Sequence, residues 1–338
     1  MTKPGKRNPS IPMVAGRKQS LPCVYGDTPT FLGVPFIGDP RQFKDYDVIV
    51  LGVPWEGTIT WGSYSGCELS PKTVRHAAAR YGGYLPEIDI DLFDHLRVAD
   101  AGDVIVSPGD EHATMLAIQK KISAITSAGA VPFCIGGDHS FSPAIVRAIG
   151  RSSKGKIGVV HFDSHFDNAE RFNEDTYPRC SPLHHIAHLP QIKKTSIVHV
   201  GIRGPRNSKR QMQYARELGA SVLTIQDIRR DGMDKTMDKA IFTAGDGTDG
   251  LYVTVCSDII DVAFNPGGPP DFDGLTPHEL FYAVRRLGAH GIIGFDFVEI
   301  YPLQDKNNVS AHLAAWSMIH ALAGMAMRKR DSQRSKLP

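Results

Sequence analysis

Cysteine is scarce and unpaired in this chain. Five occur in 338 residues, at positions 23, 67, 134, 180 and 256, odd in number and without a recurring spacing. That excludes a disulfide framework and leads us to expect a reducing, cytoplasmic compartment. No apolar run approaches the length of a membrane span, so no membrane association is expected. The first residues lack the apolar segment of a secretory signal. An excess of charge is missing too: a net charge of +2 gives no electrostatic argument for nucleic acid or an anionic membrane. No internal repeat or shift of composition divides the chain. What is present, 41% hydrophobic residues with 22% charged, is enough to bury the sizeable core of one long α/β domain.

Residues 1–30, rich in Pro, Lys, Arg and Ser without periodicity, read as a flexible arm. Residues 328–338 read as a charged tail, and 31–327 as a single domain. Inside it, β-branched apolar runs alternate with helical patterns. Strands are expected near 47–53, 103–106, 131–135, 157–163, 196–202, 221–224, 251–256 and 291–295. Helices are expected at 71–81, 110–128, 143–149, 206–218, 276–287 and 309–327. Ser70-Pro71 and Thr276-Pro277 each put a capping hydroxyl before a proline at the first helical position. Strands alternating with helices require crossovers, and so predict a mostly parallel sheet covered on both faces. In such sheets ligands bind beyond the carboxyl ends of the strands.

Three of those ends carry metal-type side chains. Asp163, His165 and Asp167 lie at i, i+2 and i+4, so an extended segment turns all three to one face. Cys256 and Asp258 repeat the i, i+2 spacing after another apolar run. Asp261, three residues beyond, does not share their face and is expected to organise the turn ahead of Asn265-Pro266-Gly267. His139 follows Gly136-Gly137-Asp138, a tight turn able to deliver an imidazole to the sheet edge. Alone it would more often be an ordinary hydrogen-bonded histidine. Oxygen and nitrogen ligands gathered from three strand ends describe a binuclear metal site.

On these motifs the chain resembles the ureohydrolase superfamily of arginase, agmatinase, guanidinobutyrase and guanidinase. GGDHS at 136–140 matches the first motif of that family. HFDSHFD at 161–167 matches its Asp-Ala-His-x-Asp motif, with Ser164 in place of alanine. VCSDIIDVAFNPG at 255–267 aligns without gaps to the Ser-Phe-Asp-x-Asp-x-x-Asp-Pro-x-x-x-Pro-Gly segment. VGIRGP at 200–205 and GFDFVEIYP at 294–302 add further matches, and TPTFLGVPF at 28–36 is similar to the entry segment of the guanidinobutyrase and guanidinase branch. The resemblance implies a three-layer α/β/α fold with about eight strands, trimeric or hexameric assembly, and two divalent ions, nickel or manganese. A planar delocalised cation is a poor electrophile, so water must be activated by two Lewis acids while a carboxylate fixes the cation. Carried over by motif, His139, Asp163 and Asp167 would hold one ion, and Asp163, His165 and Asp258 the other, with Asp163 bridging. Asp167 and Glu299 would be the catalytic carboxylates, Glu299 holding the guanidinium of the substrate.

The chain also departs from the pattern. Cys256 stands where the family has its second bridging carboxylate. As a thiolate it would be a nickel or zinc ligand; as a thiol it is a small apolar residue at a strand end. The family histidine that shuttles protons falls in RCSPLHH at 179–185, which puts Arg179 and Cys180 at its place. Arginine stays protonated and is a poor general acid or base. His184 and His185 follow closely, but histidines so placed are more often structural or exposed. At the entry loop, SYSGCELSP at 63–71 replaces an Arg-x-Gly-Ala-Arg-x-Gly-Pro pattern. Trp61 and Tyr64 would make the mouth more apolar, suited to an alkylated guanidine or a biguanide. Two losses in one site are similar to the less intact chain of nickel-dependent, two-chain metformin hydrolases. The expected function is therefore a subunit of a guanidino or biguanide hydrolase that needs an intact homologous subunit. The alternatives are a self-sufficient hydrolase with Cys256 as a ligand and a non-catalytic binding protein.

Overall fold

The computed structural model describes residues 29–58 and 64–335. Nearly all of the expected N-terminal arm, and Trp61, lie outside the described residues. The first half runs through β1 (Val48–Gly52), α1 (Ser70–Ala78), a small hairpin of β2 (Tyr84–Leu85) and β3 (Ile90–Asp91), α2 (Leu92–His95) and β4 (Val98–Asp103). It continues with α3 (Glu111–Ser127), β5 (Val131–Ile135), α4 (Ser142–Ser152) and β6 (Ile157–Phe162). The second half adds α5 (Pro182–Ala187), β7 (Ile192–Ile202), α6 (Lys209–Glu217), β8 (Ser221–Thr224) and α7 (Ile225–Gly245). It ends with β9 (Gly250–Cys256), α8 (Pro277–His290), β10 (Ile292–Val298) and α9 (Val309–Arg334).

Eight strands form one sheet in the order β4-β1-β5-β10-β9-β6-β7-β8, and every pairing in it is parallel. Side chains of successive strand residues point to opposite faces. Val48 and Val50 accordingly join one apolar cluster with α1, α7, α8 and α9, while Ile49 and Leu51 join a second with α3, α4 and α5. Helices on both faces of a parallel sheet make the expected three-layer α/β/α architecture.

Local differences have physical reasons. The strand expected at 103–106 lies at Val98–Asp103. Its polar sequence hides it: Asp100 is fully buried there, paired with Arg75 of α1 at 2.8 Å. Thr276 caps α8 by accepting from the Glu279 amide. Ser70, expected to cap α1, instead donates its hydroxyl to the Ile300 carbonyl at 2.8 Å. α7 is absent from the sequence expectations. It opens with a capping box of Thr224 and Asp227 and is broken inside by Gly232 at φ 79°. The expected charged tail is helical up to Arg334. Contrary to the expectation that no run approaches a membrane span, α9 is long and apolar enough by length and composition; 78% of its apolar stretch is buried, as in a core helix.

The strand order positions the site. β1, β5, β10, β9 and β6 are consecutive neighbours, so the loops leaving their carboxyl ends converge although they are spread along the whole chain.

Candidate metal centre

Glycines let the β5 loop reach the site. A Cβ on Gly137 would stand 1.8 Å from the Trp55 carbonyl oxygen, and one on Gly136 2.7 Å from Val298. Only bare backbone fits between these strand ends. His139 then begins a short 3-10 turn, fully buried. Its amide donates to Glu299 Oε1 at 2.8 Å, and its Nε2 is engaged with Thr254 Oγ1 at 2.9 Å. Nδ1 is left facing Asp163 Oδ2 at 3.3 Å and Asp167 Oδ2 at 3.1 Å. Neither contact has hydrogen-bonding geometry, and Nδ1 is a buried nitrogen without a hydrogen-bond partner among the described residues.

The β6 end supplies the second half. His165 Nδ1 lies 3.3 Å from Asp163 Oδ1 and 3.0 Å from Asp258 Oδ2. Asp163 thus turns one oxygen to each imidazole. Separations of 3.0–3.3 Å are those of ligands about 2.1 Å from a shared ion. The donors are hard oxygens and imidazole nitrogens, three of the carboxyls are buried, and a buried nitrogen is unused. This set fits divalent cations.

Electrostatics agree with that fit. Burial works against a charged imidazole, yet the carboxylates of Asp163 and Asp167 hold His139 well above its ordinary value. Burial likewise opposes charge on His165, and Asp258 and Asp163 raise it. Burial and the neighbouring Asp163 push Asp258 up, while His165 pulls it down. Such crowded carboxyls need positive charge, from protonated imidazoles or from cations.

Cys256 is at the same edge, with its sulfur and oxygens of Asp163 and Asp258 within 4.8 Å of one another. Burial, then Asp163 and Asp258, push its thiol well above the usual range. Two site residues hold left-handed backbone that non-glycine residues rarely adopt: Asp167 at φ 44° and Glu299 at φ 63°.

Arg179 has a place the sequence did not reveal. It is buried, with Nη1 3.1 Å from Glu299 Oε2 and Nη2 3.1 Å from Glu56 Oε1. Glu299 also accepts from the Tyr301 hydroxyl at 2.7 Å. Burial pushes the Glu299 carboxyl up to about 7, against the pull of Arg179. A cavity of about 320 Å³ is walled by His165, Asp167, Arg179, Cys256, Asp258 and Glu299 among others.

Other expected residues lie elsewhere. His185 binds the Thr176 carbonyl at 2.6 Å and stacks on Tyr177, and His184 stacks on Tyr214. Neither is on the cavity wall. Tyr64 is 53% exposed, bonded to Glu68, and off that wall as well. Asp261 organises its turn as expected, accepting from the Ala263 and Gly274 amides.

Sequence reasoning missed several participants. His161 sits two residues before Asp163 in the same alternation and bonds its Oδ2 at 3.0 Å, so its spacing could have been read. Asp271, 3.4 Å from His165 Nε2 and 2.8 Å from Arg206, comes from a distant loop without a pattern. Glu56 is likewise an isolated acid in the sequence, and Asp138, although inside GGDHS, reads there only as part of the turn that delivers His139.

A family model described as the arginase family matches residues 46–324. The chain belongs to the arginase family. It is 31% identical over 291 residues to proclavaminate amidinohydrolase of Streptomyces clavuligerus, covering 86% of this chain and 90% of that one. It is also 31% identical over 304 residues to a guanidinopropionase of Pseudomonas aeruginosa, covering 89% and 93%. Among solved structures, the proclavaminate amidinohydrolase of S. clavuligerus superposes with a TM-score of 0.82 at 29% identity, covering 90% of this chain and 99% of that one. A Trypanosoma cruzi formiminoglutamase solved with Mn2+ shares the arginase-family fold, at a TM-score of 0.80 and 23% identity over 89% of this chain and all of that one.

Proposed function

We propose that this arginase-family chain is a subunit of a metal-dependent hydrolase that cleaves a C–N bond of a guanidino or biguanide compound, and that it works beside a homologous subunit with a complete site, as in metformin hydrolase. The names of its relatives, guanidinopropionase and guanidinobutyrase, support the guanidino class. The observation that carries the reading is a retained ligand arrangement with one bridging position altered. Asp163 faces both His139 and His165, while the sulfur of Cys256 stands beside it where the family has a carboxylate.

His139, Asp163 and Asp167 would hold one ion and Asp163, His165 and Asp258 the other. Two divalent ions bound there would supply the Lewis acidity that activates water. The protein's own contribution is positional. Thr254 holds the His139 ring through Nε2 so that Nδ1 faces the carboxylates. The amides of His165 and Ser164 hold Asp163 Oδ1 and Asp258 Oδ1 at 2.6 and 2.9 Å. Cys256 offers a single sulfur where a bridging carboxylate would offer two oxygens, which would weaken the grip on both ions.

Sulfur suits nickel, so the closeness of Cys256 to Asp163 and Asp258 favours a second reading: a self-sufficient nickel hydrolase with Cys256 as ligand. Metal analysis after nickel loading, with turnover of guanidino acids and biguanides measured with and without a co-expressed paralogue, separates them. The heteromer reading expects turnover only with the paralogue. Full turnover by this chain alone, with about two tightly held nickel ions, would establish the other reading instead.

A further inference from the structure

We propose that the strand ends of this chain build a guanidinium-recognition site that is filled from within by the side chain of Arg179. The inference rests on the reading of Glu299 as part of a guanidino-compound pocket and adds what occupies it.

The guanidinium of Arg179 is met on all of its edges. Nη1 lies 3.1 Å from Glu299 Oε2 and 3.5 Å from the Tyr301 hydroxyl. Nη2 lies 3.1 Å from Glu56 Oε1 and 3.7 Å from Asp138 Oδ2, and Nε donates to the Thr58 carbonyl at 3.3 Å. Arg179 is 5% exposed and Glu299 3%. One carboxylate is enough for an ordinary ion pair. Carboxyls from three strand ends around one planar cation are the arrangement of a receptor for that cation.

The acceptors are held in place independently of Arg179. Glu56 accepts from the amides of Ser65, Gly66 and Cys67. Asp138 accepts from the Gly57 amide at 2.6 Å and the Ser140 hydroxyl at 2.6 Å. Glu299 accepts from the His139 amide. Removing the arginine side chain therefore leaves a preorganised, guanidinium-shaped space. That space borders the cavity shared with Asp167, Cys256 and Asp258. While Arg179 holds Glu299, no guanidino substrate has access to that carboxylate, and this chain's own pocket is closed to the cation class it is shaped for.

The test is calorimetric titration of the full chain with guanidinium chloride, with sodium chloride and urea as controls, on the wild type, Arg179→Ala and Arg179→His. Wild type should show no saturable binding. Both variants should bind one guanidinium with a Kd of roughly 0.05–5 mM, the lower bound being the ceiling for a four-atom ligand. Adding Glu299→Gln should weaken that binding about tenfold or more. Variants that fold but respond like the wild type overturn the proposal. Variants that fail to fold with or without guanidinium overturn it too, because Arg179 is then a structural keystone; variants that fold only in its presence support it. Metal content of the wild type tests the functional reading separately, so failure of one leaves the other readable.

Discussion

One sheet edge carries two clusters of buried acids, and they are neutralised in different ways. At the β5, β6 and β9 ends, Asp163, Asp167 and Asp258 face imidazoles of His139 and His165. At the β1, β5 and β10 ends, Glu56, Asp138 and Glu299 face the guanidinium of Arg179. Buried carboxylates need a counter-charge in both places. An imidazole supplies it as a proton, which an incoming cation displaces with release to solvent. A guanidinium supplies a charge that no accessible pH removes. The first cluster is an exchangeable site and the second a closed one, although both are built from the same kinds of acid.

The largest effect expected from breaking this contrast is at Asp163, the one carboxylate among the described residues that faces both imidazoles. Asp163→Asn should lower bound nickel or manganese, measured by mass spectrometry on loaded protein, by about tenfold or more at both sites together. Loss confined to a single ion would mean that Asp163 does not bridge. At the closed cluster, Glu299→Gln should leave metal content unchanged but lower unfolding free energy by about 3 kcal/mol in denaturant titrations. The lower part of the range for a broken buried pair is expected because Glu56 and Asp138 still balance Arg179. Unchanged stability would show that Glu299 is not a principal partner of that cation.

These two clusters were unequally legible in the sequence. The exchangeable one could be read because its members come in short spacings: Asp163, His165 and Asp167 alternate within one segment, and Cys256 and Asp258 within another. Period-two spacing at a strand end is a local signal. The closed cluster has none. Glu56 precedes Arg179 by 123 residues and Glu299 follows it by 120, and only the strand order brings them together. The replacement of a histidine by Arg179 could be read as a loss of proton transfer, but not as a gain of a partner for Glu299. In the fold, apolar strands were legible and polar ones were not. Asp100 in the middle of β4 is tolerable only because Arg75 arrives from α1, and the helix from 225 was obscured by Gly232 and its charged surface.

Cys256→Asp sharpens the contrast between the two clusters. A second carboxylate beside Asp163 and Asp258 should tighten metal binding by about tenfold, read by competition with a chelator. Turnover should stay low, because Arg179 still occupies Glu299; only the double variant with Arg179→His should gain activity. Turnover restored by Cys256→Asp alone would show that the filled cradle is no barrier.

A smaller effect lies outside both clusters and must be separated from them in any acid titration. His320, in α9, stacks on Phe281 with ring centroids 4.8 Å apart, and its Nδ1 lies 3.3 Å from Arg285 Nη1. Burial, then Arg285 and His278, hold it down from 6.5 to about 4; Glu87, 3.9 Å from Nε2, is the one acid facing it among the described residues. A histidine with a depressed folded pKa stabilises as the neutral ring. That stability is fully present above pH 6.5 and is lost as pH falls toward about 4, because the unfolded chain takes up the proton first. Discounted for partial exposure, the loss between pH 7 and 5 is about 1 kcal/mol. His320→Gln, which keeps an acceptor for Arg285 but does not titrate, should remove that increment from the pH dependence of unfolding free energy and leave metal binding untouched. An identical pH slope in the variant would place the acid sensitivity at the carboxylate clusters instead, in the first of which proton and metal would compete for the imidazole nitrogens of His139 and His165.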